Sequence, residues 1–135
     1  MQGASDGHNY KVCRYADAIL MAAECLNELD RDEEALVYLN KTRNRAGIGD
    51  YTYRTHIRLQ DEIRNERSRE LFGEFQRKYD LVRWRTFYQV PSESTDYQAR
   101  TDNLKPCHEY YPIPDKEVVY SKYALDNKAY NACGL

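Results

Sequence analysis

From Tyr10 to Asp30 the chain places Tyr15, Ile19, Ala22, Leu26 and Leu29 at steps of three and four. That spacing predicts one apolar stripe along an α-helix. Asp17, Glu24 and Glu28 fall elsewhere on the wheel, and Ala18, Ala22 and Ala23 leave a shallow surface that a second helix can approach closely. Asp30 or Asp32 is placed to cap that second helix, and Glu33 and Glu34 suit its positive N-terminal end. Ala35, Leu36, Leu39, Arg43 and Ala46 repeat the helical spacing. Gly47 then stands where a helix ends in a left-handed residue, with Ile48 positioned to fold back on it.

Two helices with so short a joint form an antiparallel hairpin. From Arg14 to Gly47 its length is close to the ~34 residues of a tetratricopeptide repeat, and only one copy is visible. A single repeat cannot bury both faces, so the hairpin needs something else to pack on. After a short aromatic connection, Asp50 to Arg54, Thr55 is set to cap a third helix through Ile57, Leu59, Ile63, Leu71 and Phe75. Its periodicity runs on to about Arg85, with Gly73 as the place for a break. At Val90 the periodicity stops. Pro91, Ser92, Ser94, Thr95 and Asp96 mark a loop, and the polar stretch from Tyr97 to Pro106 reads as irregular. Tyr110-Tyr111-Pro112-Ile113-Pro114 must be extended, because each proline also restrains the residue before it. Asp115 then opens a short helix, DKEVVYS, ahead of an irregular tail. The expected fold is mainly α: a tetratricopeptide-like helical hairpin plus a long charged helix, with an irregular C-terminal segment. Residues 1–9 read as a flexible lead-in and residues 10–135 as one helical region.

Composition narrows the function more than the fold. With 41% hydrophobic and 31% charged residues, the 135-residue chain is neither disordered nor membrane-embedded in character. Twenty Lys+Arg against 22 Asp+Glu argue against a nucleic-acid binder, which shows a basic excess gathered on one face. Met1 to Asn9 has no basic start, apolar stretch or small-residue cleavage site, so the reading is either a cytosolic protein or an internal piece of a longer exported one. The four cysteines, Cys13, Cys25, Cys107 and Cys133, show no metal-ligand spacing. On one helix Cys13 and Cys25 would stand about 18 Å apart, too far for a disulfide. Pairing with the C-terminal half stays open, and buried reduced thiols are the expectation. Thirteen tyrosines offer flat apolar faces with polar tips, which suit interfaces, sugar rings and half-buried positions alike.

Several constellations invite a chemical reading. Glu66 and Glu70 lie one turn apart on one face, as an acid/base or metal-binding pair would. Di-iron carboxylate bundles need Glu-x-x-His motifs as well, and His8, His56 and His108 have no such neighbours. The intervening Arg64, Arg67 and Arg69 favour a structural ion-pair network, with Asp61–Arg64, Glu66–Arg69, Glu70–Arg67 and Glu74–Arg77 as the natural pairs. Cys107-His108 is the only adjacent thiol and imidazole, and sequence neighbours rarely present their side chains to one another. Gly47-x-Gly49 follows a helix, whereas a phosphate loop follows a strand, so a C-cap and turn is expected. Trp84, Phe87 and Tyr88 could stack on sugars or peptides, but at helical spacing they read as core. No catalytic residue, metal ligand or cofactor is assigned, and no ligand-binding residue can be singled out.

Three motifs, in order, resemble the C-terminal region of the SusD/RagB family. RYADAILMAAECLNEL with EALVYLNKTRNRAGI is similar to the family's hairpin with its LN-x-x-R-x-RAG ending, here Leu39, Asn40, Arg43, Arg45, Ala46 and Gly47. IRNERSRELFGEFQRKYDLVRW is similar to ERRREL-x-x-E-x-x-R-x-x-DL-x-RW; Glu66, Arg67, Arg69, Glu70, Leu71, Glu74, Arg77, Asp80, Leu81, Arg83 and Trp84 hold its positions. YYPIPDKEV is similar to the family's PIP-x-x-E segment. The chain departs from the family's Asn-Pro-Gly-Tyr-like ending with YALDNKAYNACGL. The resemblance implies part of an outer-membrane, cell-surface lipoprotein that captures glycans or other nutrients for a TonB-dependent, SusC-like transporter without catalysis. It implies attachment to the membrane only through an N-terminal lipid anchor that this chain lacks. It also implies that the hairpin and charged helix are scaffold, with the Glu/Arg residues paired and Trp84 locking them. Apolar faces left without cover predict a dimer of this piece. The rival reading is a tetratricopeptide-like interaction module that grips a peptide or partner protein.

Overall fold

The computed structural model describes residues 12–89 and 104–134. The lead-in at 1–9 and the loop read from Val90 onward lie outside these residues. Helix is the only regular structure among the described residues: α1 (Tyr15–Glu28), α2 (Asp32–Arg45), α3 (His56–Glu70), α4 (Arg77–Arg83), α5 (Asp115–Tyr120) and α6 (Lys128–Gly134), with a 3₁₀ turn at Pro106–Glu109. The mainly helical fold expected from the pattern is the fold observed. The chain forms two compact units, divided after Arg77.

In the first unit α1 and α2 make the predicted hairpin and α3 packs against both. Leu20, Ala23, Ala35, Leu39, Leu59 and Ile63 form the core, flanked by Leu26, Leu36 and Tyr51. Ala23 and Ala35 are fully buried, so small side chains lie where the helices approach. The end of α2 is the one its sequence specifies. Gly47 takes φ +73°, its N–H donates to Asn44 O at 3.0 Å, and the Ile48 N–H donates to Arg43 O at 3.2 Å. These two bonds satisfy carbonyls that the helix leaves open. Thr55 caps α3 as expected, its hydroxyl accepting from the Arg58 N–H at 3.3 Å.

Three expectations in this unit are corrected. Arg31, not Asp30 or Asp32, holds the N-cap position of α2. Asp30 instead adopts φ +58° in the turn, and Asp32 becomes the first helical residue with its carboxylate turned to other work. Helix α3 stops at Glu70, short of the Leu71 and Phe75 expected in it; the break expected at Gly73 is present, in a turn with Gly73 at φ +79° and Phe75 at φ +61° that separates α3 from α4. That turn leaves Phe75 exposed, and Ile57 is exposed as well. Third, α1 is rotated relative to its apolar stripe. Tyr15 and Leu29 are 69% and 65% exposed, while Asp17, Glu24 and Asn27 face the interior. The reason is that α1 touches two helices, and polar partners on them accept residues that hydrophobicity alone assigns to solvent.

Among its described residues the second unit has less helix. There Leu81, Phe87 and Cys107 are the buried apolar side chains, joined by the buried Asp80, which accepts from Arg83 Nε at 3.0 Å. Phe87 and Tyr88 meet edge to face with centroids 5.4 Å apart, and the Tyr88 hydroxyl donates to Lys105 O at 2.7 Å. The Tyr110–Pro114 segment is extended up to α5, as its prolines require, and α6 adds a short helix to the irregular C-terminal segment. Asn127 fastens the extended segment: its side chain accepts from the Ile113 N–H and donates to Ile113 O, both at 2.8 Å. That bidentate grip gives one irregular residue the pairing a neighbouring strand would supply.

Candidate functional site

The carboxylates of α3 and the following turn form a ladder with arginines. Glu62, Glu66 and Glu70 recur every four residues along α3 and so share one face, and Glu74 follows in the turn. Arg43 Nη1 reaches Glu62 at 2.7 Å and Glu66 at 3.4 Å, and Arg69 Nη2 reaches the same two at 2.6 and 2.9 Å. Arg14 binds Glu70 at 2.6 Å and Glu74 at 2.7 Å, and Arg45 also pairs with Glu70. The hydrogen bonds that the Arg14 guanidinium donates to Glu74 and Glu70 hold its pKa above its ordinary value. Deeper in, Arg67 Nη1 lies 2.9 Å from Asp17 Oδ1, and both residues are almost inaccessible.

This geometry separates the two carboxylates weighed as a catalytic pair. Glu66, 2% exposed, is neutralised by Arg43 and Arg69, whereas Glu70 is held by Arg14 and Arg45. The two carboxylates therefore have separate sets of guanidinium partners and do not form a shared pair. The expected pair Glu66–Arg69 forms, but the partners of Glu70 come from the start of α1 and the end of α2. Sequence spacing along α3 could not name residues 25 and 56 positions away.

A second polar knot joins the α1–α2 turn to the start of α3. Asp32 Oδ1 accepts from Asn27 Nδ2 at 2.7 Å and lies 3.0 Å from His56 Nδ1, and Oδ2 accepts from the Tyr53 hydroxyl at 2.9 Å. Burial pushes the Asp32 carboxyl up, but the hydrogen bonds from Asn27, Tyr53 and His56 outweigh it and hold the pKa below 3.8. Beside this knot an open hollow of about 580 Å³ is lined by Asp30, Arg31, Asp32, Glu33, Glu34, Leu36 and Tyr53. No group of three or more metal-ligating side chains occurs among the described residues.

The remaining sequence candidates resolve into structure. Cys107 and His108 do not form a working pair: the His108 ring accepts from the Lys105 N–H at 3.0 Å, and the Cys107 amide donates to Cys133 Sγ at 2.9 Å. Phe87 is buried, and Trp84 and Tyr88 are half-buried, so this cluster is packing and not an open stacking platform. Trp84 belongs to the second unit, where the Arg83 guanidinium lies 4.8 Å from its ring centroid. Gly49 is also at positive φ, and its carbonyl accepts from Arg43 Nε at 3.1 Å, which makes the Gly-x-Gly a helix-ending turn. Cys13 and Cys25 are exposed, contrary to the buried thiols expected, and only Cys107 is buried.

Sequence reasoning missed one feature. In the second unit Tyr110, Tyr111, Ile113, Tyr130 and the two sulfur residues Cys107 and Cys133 line an open hollow of about 440 Å³, with Asp126 and Asn127 at its polar side. Tyr110 and Tyr111 stay exposed because the prolines that follow hold them on an extended segment. The Lys78 ammonium sits 3.5 Å from the Tyr111 ring centroid, occupying one face of that ring. The Asp126 carboxyl is held below its ordinary pKa by hydrogen bonds from Lys128. The signal available in sequence was the YYPIP run, whose prolines forbid a helix that would turn the tyrosines inward.

The architecture defines an all-helical protein founded on a tetratricopeptide-like hairpin. Comparison gives the family: the model of the SusD family matches residues 2–130, and the chain belongs to that family. It is similar to SusD-like protein P25 of Formosa agariphila, 37% identical over 133 residues that cover 91% of this chain and 24% of that protein. SusD-like protein P2 of the same organism is 33% identical over 139 residues, covering 93% of this chain and 26% of the relative. The chain thus spans about a quarter of the length of these curated relatives. No solved structure matches it.

Proposed function

We propose that the chain is the helical scaffold part of an outer-membrane, cell-surface protein that binds a glycan or other nutrient without catalysis and hands it to a TonB-dependent transporter. What supports this reading is membership of the SusD family, together with the open tyrosine-lined hollow of the second unit. Aromatic faces stack on the apolar faces of sugar rings, and a carboxylate such as Asp126 accepts from hydroxyls at the edge. The arginine-bound carboxylates of α3 suit a scaffold role better than acid/base work. On the family reading, attachment would come from a lipid anchor in a longer parent.

Calorimetry or a glycan array on the full-length parent tests the reading. Binding to a polysaccharide that Tyr110→Ala weakens about tenfold, at unchanged helical content, would support both ligand class and place. Silence across polysaccharides, peptides and glycoproteins sinks it, while binding indifferent to Tyr110→Ala and Tyr130→Ala sinks the placement alone.

One observation favours a second reading, a protein-interaction module. The outward face of α1 carries Tyr15, Ala18, Met21, Cys25 and Leu29, an apolar strip with Lys41 as its polar edge through the Tyr15 hydroxyl at 3.1 Å. Concentration-dependent doubling of mass in sedimentation, abolished by Leu29→Glu, would assign that strip to a dimer of this piece. A monomer at every concentration excludes self-association.

A further inference from the structure

Cys107 and Cys133 are separated by 26 residues yet meet in the fold. The Cys107 amide nitrogen lies 2.9 Å from Cys133 Sγ and donates to it. Because the N–Cα bond is ~1.46 Å, the Cys107 Cα stands at most about 4.4 Å from that sulfur, inside the reach of a disulfide. Cys107 sits in the 3₁₀ turn and is buried; Cys133 sits on α6 and is half-exposed. Both line the hollow that Tyr110, Tyr111 and Tyr130 surround. The other two cysteines, Cys13 and Cys25, are exposed in the first unit, and the Cys13 thiol donates to Asp17 Oδ2 at 3.5 Å.

We propose that Cys107 and Cys133 form a redox site: an oxidising, disulfide-bearing partner molecule converts them to an intramolecular disulfide that clamps α6 to the Pro106–Glu109 turn. The exposure difference sets the order of events. Cys133, the more accessible, loses its proton to solvent and its thiolate attacks a small disulfide, RSSR, releasing one RS⁻ and leaving a Cys133–SR mixed disulfide. The Cys107 thiolate then attacks the Cys133 sulfur, forming the Cys107–Cys133 bond and expelling the second RS⁻. Two cysteine thiols are oxidised and one RSSR is reduced to two RSH, which take up the two protons. Burial first, and the neighbouring Cys133 side chain, raise the pKa of the Cys107 thiol, and its lower accessibility makes Cys107 the resolving residue and not the first attacker. The bond closes the walls of the tyrosine-lined hollow against each other whether or not that hollow takes a ligand, and it would persist wherever the surroundings are oxidising.

The test is oxidation of the full 135-residue chain with oxidised glutathione over a series of glutathione ratios, followed by denaturing alkylation, intact mass and peptide mapping. The expected result is a linked Cys107–Cys133 peptide with Cys13 and Cys25 still alkylated. That link should persist at ratios at least tenfold more reducing than those that strip glutathione from Cys25. Cys107→Ser should leave Cys133 as a mixed disulfide only, with the far-UV spectrum unchanged. Equal alkylation of Cys107 and Cys133 at oxidant levels that cap Cys13 and Cys25 overturns the proposal, as does linkage of either to the first unit. A repeat in guanidinium completes the test. Scrambled pairing there assigns the selectivity to the fold, and the same selective pairing there overturns it by assigning the link to chain proximity.

Discussion

Residues 12–77 bury Leu20, Leu39, Leu59 and Ile63 together with Asp17, Asn27, Glu66 and Arg67, whereas the described residues of the second unit, 78–89 and 104–134, bury Leu81, Phe87, Cys107 and Asp80 and leave most of their tyrosines outside. The first unit therefore combines an aliphatic core with charge pairs withdrawn from water. The second relies on turns, short helices and side chains that grip backbone. Each unit nevertheless uses the same asparagine device. Asn40 accepts from the Tyr51 N–H at 2.7 Å and donates to Tyr51 O at 3.3 Å, as Asn127 does with Ile113. In the first unit that grip supplements a core of aliphatic side chains, and in the second it stands among described residues of which few are buried and apolar. Open aromatics are the natural counterpart of that arrangement.

That contrast can be broken from either side. Arg67→Ala should cost the first unit about 3–5 kcal/mol in denaturant unfolding, because Asp17 is left charged and buried without its partner. A loss under about 1 kcal/mol would mean that the pair behaves as a surface one. Asn127→Ala should cost the second unit about 1–2 kcal/mol and loosen residues 110–114, seen as faster amide exchange at Ile113, with the first unit untouched. Unchanged exchange at Ile113 would show that the prolines alone hold that segment.

Acid offers a smaller and more local test. Hydrogen bonds hold the Asp32 carboxyl below its ordinary pKa in the folded chain, so it contributes stability above the unfolded value and loses it as pH falls through the folded one. Urea midpoints taken from about pH 5 down to about pH 3 should fall less steeply for Asp32→Asn than for the parent. Parallel profiles would remove Asp32 from the account. The smallest effect belongs to Phe72→Ser: this ring is 90% exposed, so the change should stay within about 0.5 kcal/mol. A larger loss would show that the ring is covered in solution.

What the sequence disclosed follows the range over which each feature is encoded. The Gly47 stop, the Thr55 cap and the break at Gly73 each depend on a few adjacent residues, and all three were legible. The rotation of α1 was not, because the partner that makes Asp17 an interior residue lies 50 positions away. The same holds for Glu70, which sequence spacing joined to Arg67 and the fold joins to Arg14 and Arg45. The tyrosine-lined hollow was hidden for another reason. Thirteen tyrosines give no hint of which few will converge, and the convergence depends on Asn127 drawing Ile113 toward α6.

The Asp17–Arg67 pair also has a consequence for how the three helices find their alignment. Alanines and leucines tolerate sliding, since one apolar side chain replaces another in much the same groove. A guanidinium and a carboxylate sealed between α1 and α3 do not, because displacement by one turn, about 5.4 Å, strands both charges in a water-poor interior. Misaligned arrangements of α1 thus carry a heavy penalty that the correct one escapes. The buried pair acts as a proofreading contact for the bundle, rejecting near-miss packings that the hydrophobic core would accept.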